Sequence, residues 1–210
     1  MQSTFYMDSK HHEDLIHIRS MMERSSRFIS LSGLSGVCAG LSALIGGLYI
    51  LQWFKTNKIN YFDLEDRVYG RDVITHLIGV GMIILIVALI SAIFFTVRKS
   101  QKYKLPIWTT ATKQMLIQLA IPLLVGAIFC LALIKYNLMV LVAPTTLLFY
   151  GLALVNAEKY TYSDIKYLGV LEIIVGLVSL FYLRYGLVFW IIGFGILHIV
   201  YGLVVFKKYK

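Results

Sequence analysis

The sequence predicts an all-α polytopic membrane protein: a six-transmembrane-helix bundle built from three helical hairpins, preceded by an amphipathic cytoplasmic N-terminal helix. Three observations carry this expectation. Hydrophobic residues make up 59% of the 210 and mean hydropathy is +0.76, above the roughly 45–50% apolar content of a soluble domain. Six apolar runs are long enough to cross a hydrocarbon core about 30 Å thick, which takes about 20 helical residues. Each run is too long for an ordinary strand, and backbone groups in lipid must be satisfied within the segment, which leaves helices.

Taken in order, residues 1–27 form a cytoplasmic N-tail. Within DLIHIRSMMERSSRF (Asp14–Phe28), Leu15, Ile18, Met22 and Ile29 recur near helical spacing with charges between them. That pattern fits a helix lying on the membrane interface, or one gripping a partner. A polar tail ahead of a span of full length does not read as a cleaved signal. The six-helix transmembrane domain occupies 28–206, with spans Phe28–Phe54, Val73–Val97, Met115–Ile134, Leu138–Ala157, Ile165–Leu183 and Gly186–Phe206, and a basic cytoplasmic C-tail covers 207–210. With six spans both termini share a side. Fourteen of the Lys and Arg residues fall on that side and six on the other, so the positive-inside rule places both termini in the cytoplasm. The formal charge of +9 is accounted for by attraction to anionic lipid, at about 1 kcal/mol per basic residue, and does not call for nucleic acid.

The loops are short. Lys55–Asp72 carries four bases against four acids and reads as a solvated connector or a small lid. Arg98–Trp108 has no acid and reads as a topological stop, or as a dock for anionic lipid or an acidic partner. An internal echo relates VGAIFCLALIKYNL (Val125–Leu138) to VGLVSLFYLRYGL (Val175–Leu187), and FYGLALVNAEKY (Phe149–Tyr160) to VYGLVVFKKY (Val200–Tyr209). The repeating unit is a two-helix hairpin with a tight outer turn, which keeps its orientation, unlike inverted transporter repeats.

The first span is rich in small residues. Ser32, Gly36 and Gly40 recur every fourth position, as do Ser35, Ala39, Ala43 and Gly47. Such spacing lets helix backbones approach closely where lipid supplies no hydrophobic drive to associate. The expectation is a central helix with neighbours on two sides, or else the wall of a pocket. The stretch IRSMMERSSRFISLSGLSGV (Ile18–Val37), with the glycine-rich span after it, resembles the start of an uncharacterised family of six-span inner-membrane proteins of Bacteroidota-type bacteria, whose members are often encoded beside a small winged-helix regulator. The resemblance implies an inner-membrane location and a regulatory setting. It brings no catalytic residues.

Polar residues inside spans are the functional candidates. Glu172 is the acid well inside a span, on a stripe with Gly169, Gly176 and Ser179. An ionised acid at mid-span costs roughly 2.5–3.5 kcal/mol on insertion scales, so it faces protein or water. His198 lies on a similar stripe with Gly195 and Gly202, and both residues stand thirteen positions from Tyr185 at the turn. An antiparallel pair of helices would then bring Glu172 and His198 to one depth, as a structural lock or as a proton- or ligand-binding site. Gln118, on a stripe with Gln114, Pro122 and Gly126, and Asn156 are further candidates for an inward-facing cavity, or simply sit at the interface. Pro122 and Pro144 each predict a kink.

Other chemistry lacks support. HEDLIH (His12–His17) has HExxxH spacing, and five residues turn the second imidazole about 140° away from the first, whereas zinc capture on a helix wants four; adding His11 does not help. No metal site, cofactor, phosphate-cradling loop or nucleophile with a base is evident. The expected function is therefore a non-enzymatic membrane protein that senses a lipid or small apolar ligand, or relays it, to a cytoplasmic protein partner. The alternatives are a small proton-linked transporter using Glu172 and His198, and a structural assembly subunit.

Overall fold

The structure, a computed structural model, describes residues 32–62, 69–104 and 106–208. The amphipathic N-tail segment, the three N-terminal histidines and the last two residues lie outside these. The described residues are helical with no strand. Five of the helices are long and apolar enough to cross a membrane, and a sixth is somewhat shorter.

Helix α1, Gly33–Thr56, ends at Asn57, whose backbone N–H and side-chain amide both turn back to the Trp53 carbonyl. Helix α2, Arg71–Tyr103, runs past the expected span end at Val97 and through the basic segment. Lysine and arginine are good helix formers, and the helix closes only at Lys104, in the left-handed region (φ 52°), just before Pro106 restricts the chain. Helix α3, Thr110–Lys135, starts ahead of the expected Met115 because Thr109 and Thr112 form a reciprocal capping box. Pro122 lies inside this helix. Helix α4, Val142–Ala157, has single 3₁₀ turns at both ends. Pro144 sits in its first turn, where the missing N–H has no intrahelical partner to lose, so no kink is required there.

Helix α5 is Ile165–Phe181. The final helix, α6, spans Leu183–Lys208 and is irregular: a 3₁₀ turn Leu183–Tyr185, an α segment Gly186–Trp190, a π-helical segment Ile191–Leu197, and an α segment His198–Lys208. The π segment contains Gly193-Phe194-Gly195. Glycines weaken helical backbone preference, and an inserted residue of this kind re-aims the side chains that follow.

Packing follows the small residues. Helix α1 lies between α2 and α6; α6 also meets α4 and α5, and α4 meets α3. A methyl at Gly40 would come within 2.7 Å of the Gly195 carbonyl oxygen, one at Gly36 within 3.2 Å of Gly202 Cα, and one at Gly47 would overlap Ile191. Between α4 and α5, Gly151 and Gly169 face each other just as closely, each against the other's carbonyl. Gly46 turns the other way, onto Ile84 of α2. Of the other small residues, Ala43 on α1 is buried, while Ala39 on α1 and Ser32, which precedes the helix, are half-buried. Helix α2 presents Ile83, Ile86, Leu89, Ile90, Ile93 and Phe94 outward, as a lipid-facing helix does.

The two ends of the molecule differ. At one end Lys208 pairs with Asp164 (2.9 Å) and Lys99 donates to the Tyr162 hydroxyl (3.0 Å). At the other, Lys58, Tyr61, Tyr69, Asn137, Leu138 and Leu183 surround a concavity of 440 Å³. There Tyr69 donates to the Tyr61 carbonyl, and the Tyr61 hydroxyl donates to the Val140 carbonyl (3.3 Å). Burial raises both phenols above their usual range, and for Tyr61 the nearby Tyr69 adds to the effect.

Candidate protonatable site between three helices

Glu172 lies midway along α5 and is 0% exposed. Its carboxylate points at α6 and fills the space that a side chain at Gly193 would need: a methyl there would stand 2.5 Å from Glu172 Oε2 and overlap the tip of Leu147, so both would have to shift. The glycine in the π segment is thus what gives the carboxylate its place.

His198, 5% exposed, begins the α segment after the π turn. Its Nδ1 is 3.2 Å from Glu172 Oε1 and 3.1 Å from the Gly193 carbonyl oxygen. The equal spacing to Tyr185 thus translates into direct contact. The His198 backbone N–H turns to the Gly195 carbonyl, leaving the Gly193 carbonyl to the imidazole. A carbonyl can only accept, so Nδ1 carries a proton, and that proton is aimed at Gly193. Neither carboxylate oxygen receives an aligned hydrogen bond. On its other side the ring meets Tyr150 of α4: the Tyr150 hydroxyl and His198 Nε2 are 2.8 Å apart. With a neutral imidazole, Tyr150 donates to Nε2; with an imidazolium, Nε2 donates to the phenol oxygen. Phe194 stacks on the imidazole at 5.8 Å between ring centroids, and tilts against Tyr150 at 5.1 Å.

The chemistry of the arrangement is set by charge. Taking an ion out of water costs several kcal/mol even after relaxation. A carboxylate beside an imidazolium, or a carboxylic acid beside a neutral imidazole, is net neutral with one proton between the two groups. Adding or removing a proton leaves an uncompensated charge between α4, α5 and α6. Protonation is thereby tied to the packing of three helices.

The other candidates lie elsewhere. Asn156 Nδ2 donates to Gln118 Oε1 (2.7 Å) and to the Gln118 carbonyl (3.0 Å), so these two satisfy one another across α3 and α4. Asn156 is exposed, and the pair is not part of the Glu172 cluster. The two concavities described are at the Tyr61 end and along the outer face of α2. Among the described residues, no group of three His, Cys, Asp or Glu is placed to hold a metal ion. Cys38 and Cys130 are free thiols.

Tyr150, Gly193 and Leu147 were not singled out from the sequence. A signal for the first existed: in the internal echo, Tyr150-Gly151 aligns with Tyr201-Gly202. In both, the glycine closes against a neighbouring helix, and the two tyrosines lie close enough to interact electrostatically. Comparison of the chain with family profiles, with curated proteins and with solved structures finds no match.

Proposed function

We propose that this chain is a six-span inner-membrane protein of three hairpins, with both termini cytoplasmic, whose function is proton-linked solute transport centred on Glu172 and His198. One observation carries the reading: Glu172 is fully buried at mid-helix, beside His198, without an aligned hydrogen bond to either carboxylate oxygen. A carboxyl held for the fold is normally saturated by donors, because each unsatisfied buried polar atom costs about 1–3 kcal/mol. One kept under-coordinated inside a membrane domain is suited to take up and release a proton. The glycine-bearing π segment supports the same reading, since such segments concentrate at working sites.

The test is solute-evoked current in membranes reconstituted with the purified protein, screened over solute classes at several pH values. A pH-dependent current that Glu172→Gln abolishes is the expected result. A solute current that persists in that variant with unchanged pH dependence contradicts the proposal.

A second reading, sensing of a lipid or small apolar ligand for a cytoplasmic partner, is favoured by the largely apolar walls of the concavity at Tyr61 and Leu138. It predicts a ligand-dependent protein complex and no solute current.

A further inference from the structure

The buried site has two unlike sides, and the difference bears on how a proton reaches it. Helix α5 runs from the Lys208 end, where Asp164 precedes it, to the end where Leu183 lines the concavity. Toward that second end the next polar group on the Glu172 face is Ser179, which is fully buried and whose hydroxyl has no hydrogen-bond partner. It stands seven residues on, about 10 Å along the helix axis. The intervening space is filled by Leu147, which is 0% exposed. Leu147 Cβ lies 3.1 Å from where a methyl on Gly176 would be, and its Cδ2 covers Gly193 on the facing helix. Two glycines on two helices thus let one leucine close over the carboxylate. Among the described residues, neither the Glu172 carboxylate nor the Ser179 hydroxyl has a hydrogen-bond partner in this packing.

Toward the Lys208 end two phenols follow the imidazole, and the first is hydrogen-bonded to it. Tyr150 follows Leu147 by one turn of α4 and meets His198 Nε2 at 2.8 Å. Tyr201 follows His198 by one turn of α6, packs with Tyr150 around Leu154, Ile165 and Leu168, and has a buried hydroxyl. The titratable groups facing Glu172 from the packed helices are Tyr150 on α4 and His198 on α6, with Tyr201 of α6 interacting with Tyr150.

From this we propose that, in the conformation described, Glu172 exchanges protons with one side of the membrane only, the side of Lys207 and Lys208, past Tyr201 and through Tyr150 and His198, while Leu147 seals the other until the helices rearrange. The proposal rests on the proton-linked reading above and specifies its direction. In the inward step, a proton arriving at the Tyr150 oxygen displaces that hydroxyl's own proton to His198 Nε2. The Nδ1 proton then passes to Glu172 Oε1. One proton has left the Lys208 side, one carboxylate is neutralised, and the imidazole is again neutral with its proton on Nε2. Tyr150 is a positioning and relay residue here; Leu147 is a seal.

The experiment uses sealed vesicles of both orientations carrying the full chain, sorted by protease access to a C-terminal tag. Only the external pH is stepped, and the protonated-carboxyl infrared band that Glu172→Gln removes is followed. The expected result is a prompt band change when the Lys208 end faces the stepped buffer and none in the opposite orientation. Tyr150→Phe, which keeps the ring, should delay the change, and Leu147→Ala should make both orientations respond. A prompt response in the opposite orientation alone, or equally in both for the wild type, overturns one-sided access while leaving Glu172 as a protonatable group. A carboxyl band that follows neither pH, even after the membrane is made proton-permeable, overturns the proton-linked reading as well.

Discussion

Two contacts in this protein are built from the same small residues and do different things. Between α1 and α6, glycines admit backbone: Gly33 lies against Gly202 and Phe206, and Gly40 against Gly195 and Ile199. Between α4, α5 and α6, Gly151 and Gly169 again bring backbones together, but Gly176 and Gly193 admit side chains, Leu147 and the Glu172 carboxylate. In lipid, close backbone approach is itself a source of association, so the first contact is complete as packing. The second spends part of its close approach on housing an acid, an imidazole and a phenol. A stripe of small residues therefore says that something approaches closely; which atoms approach decides between scaffold and site.

That difference can be broken first where it is largest. Gly202→Leu on the α1–α6 contact would drive a side chain into the Gly33 carbonyl and the Val37 backbone nitrogen, which cannot move without parting the helices. A loss of about 3 kcal/mol or more is expected, at or above the top of the usual overpacking range, read as a lowered unfolding midpoint in detergent. Gly193→Ala meets only the tip of Leu147 and a carboxylate oxygen, both able to shift. It should cost less, about 1–3 kcal/mol, and should displace the Glu172 carboxyl band, which Gly202→Leu does not do by any direct contact. Equal stability losses with no spectral difference would erase the distinction drawn between the two regions.

The tyrosine pair at the concavity sharpens the comparison from outside the spans. Both phenols are held neutral by burial, so their folded-state pKa lies above the usual 10. The unfolded chain therefore releases protons first as pH rises. The stability these groups contribute is intact below pH 10 and falls above it, for Tyr61 by at most about 1.4 kcal/mol per pH unit. Tyr61→Phe should flatten that alkaline slope in a stability–pH profile and leave the carboxyl band unchanged. Smallest of all, Gln118→Ala should cost about 0.5–1.5 kcal/mol, the net worth of an ordinary hydrogen bond, with no effect on the Glu172 band. A band shift in Gln118→Ala would tie the Gln118–Asn156 pair to the site after all.

Much of this was legible in the sequence, because lipid simplifies the code. Long apolar runs must be helices, and a lone mid-span acid must face protein or water. Thirteen residues on either side of Tyr185 are enough to bring Glu172 level with His198 in antiparallel helices. Three features were harder to see. The extension of α2 through Arg98–Tyr103 depends on where a helix stops, and the stop is Lys104 and Pro106 rather than the end of the apolar run. The π segment is a local change in hydrogen-bond register within an apolar helix, which side-chain periodicity does not register. Tyr150 was obscured because a tyrosine in an apolar run reads as an ordinary aromatic; only its repeat at Tyr201 marked it.

The most direct measurement is the unfolding midpoint of Glu172→Gln beside wild type in detergent near neutral pH. Because no aligned hydrogen bond holds either carboxylate oxygen, the variant should be as stable as wild type, or more so, while Gly202→Leu falls well below both. A drop in Glu172→Gln comparable to that of Gly202→Leu would contradict the account: the carboxylate would then be a lock within the fold, and the proton-linked reading would lose the observation on which it stands.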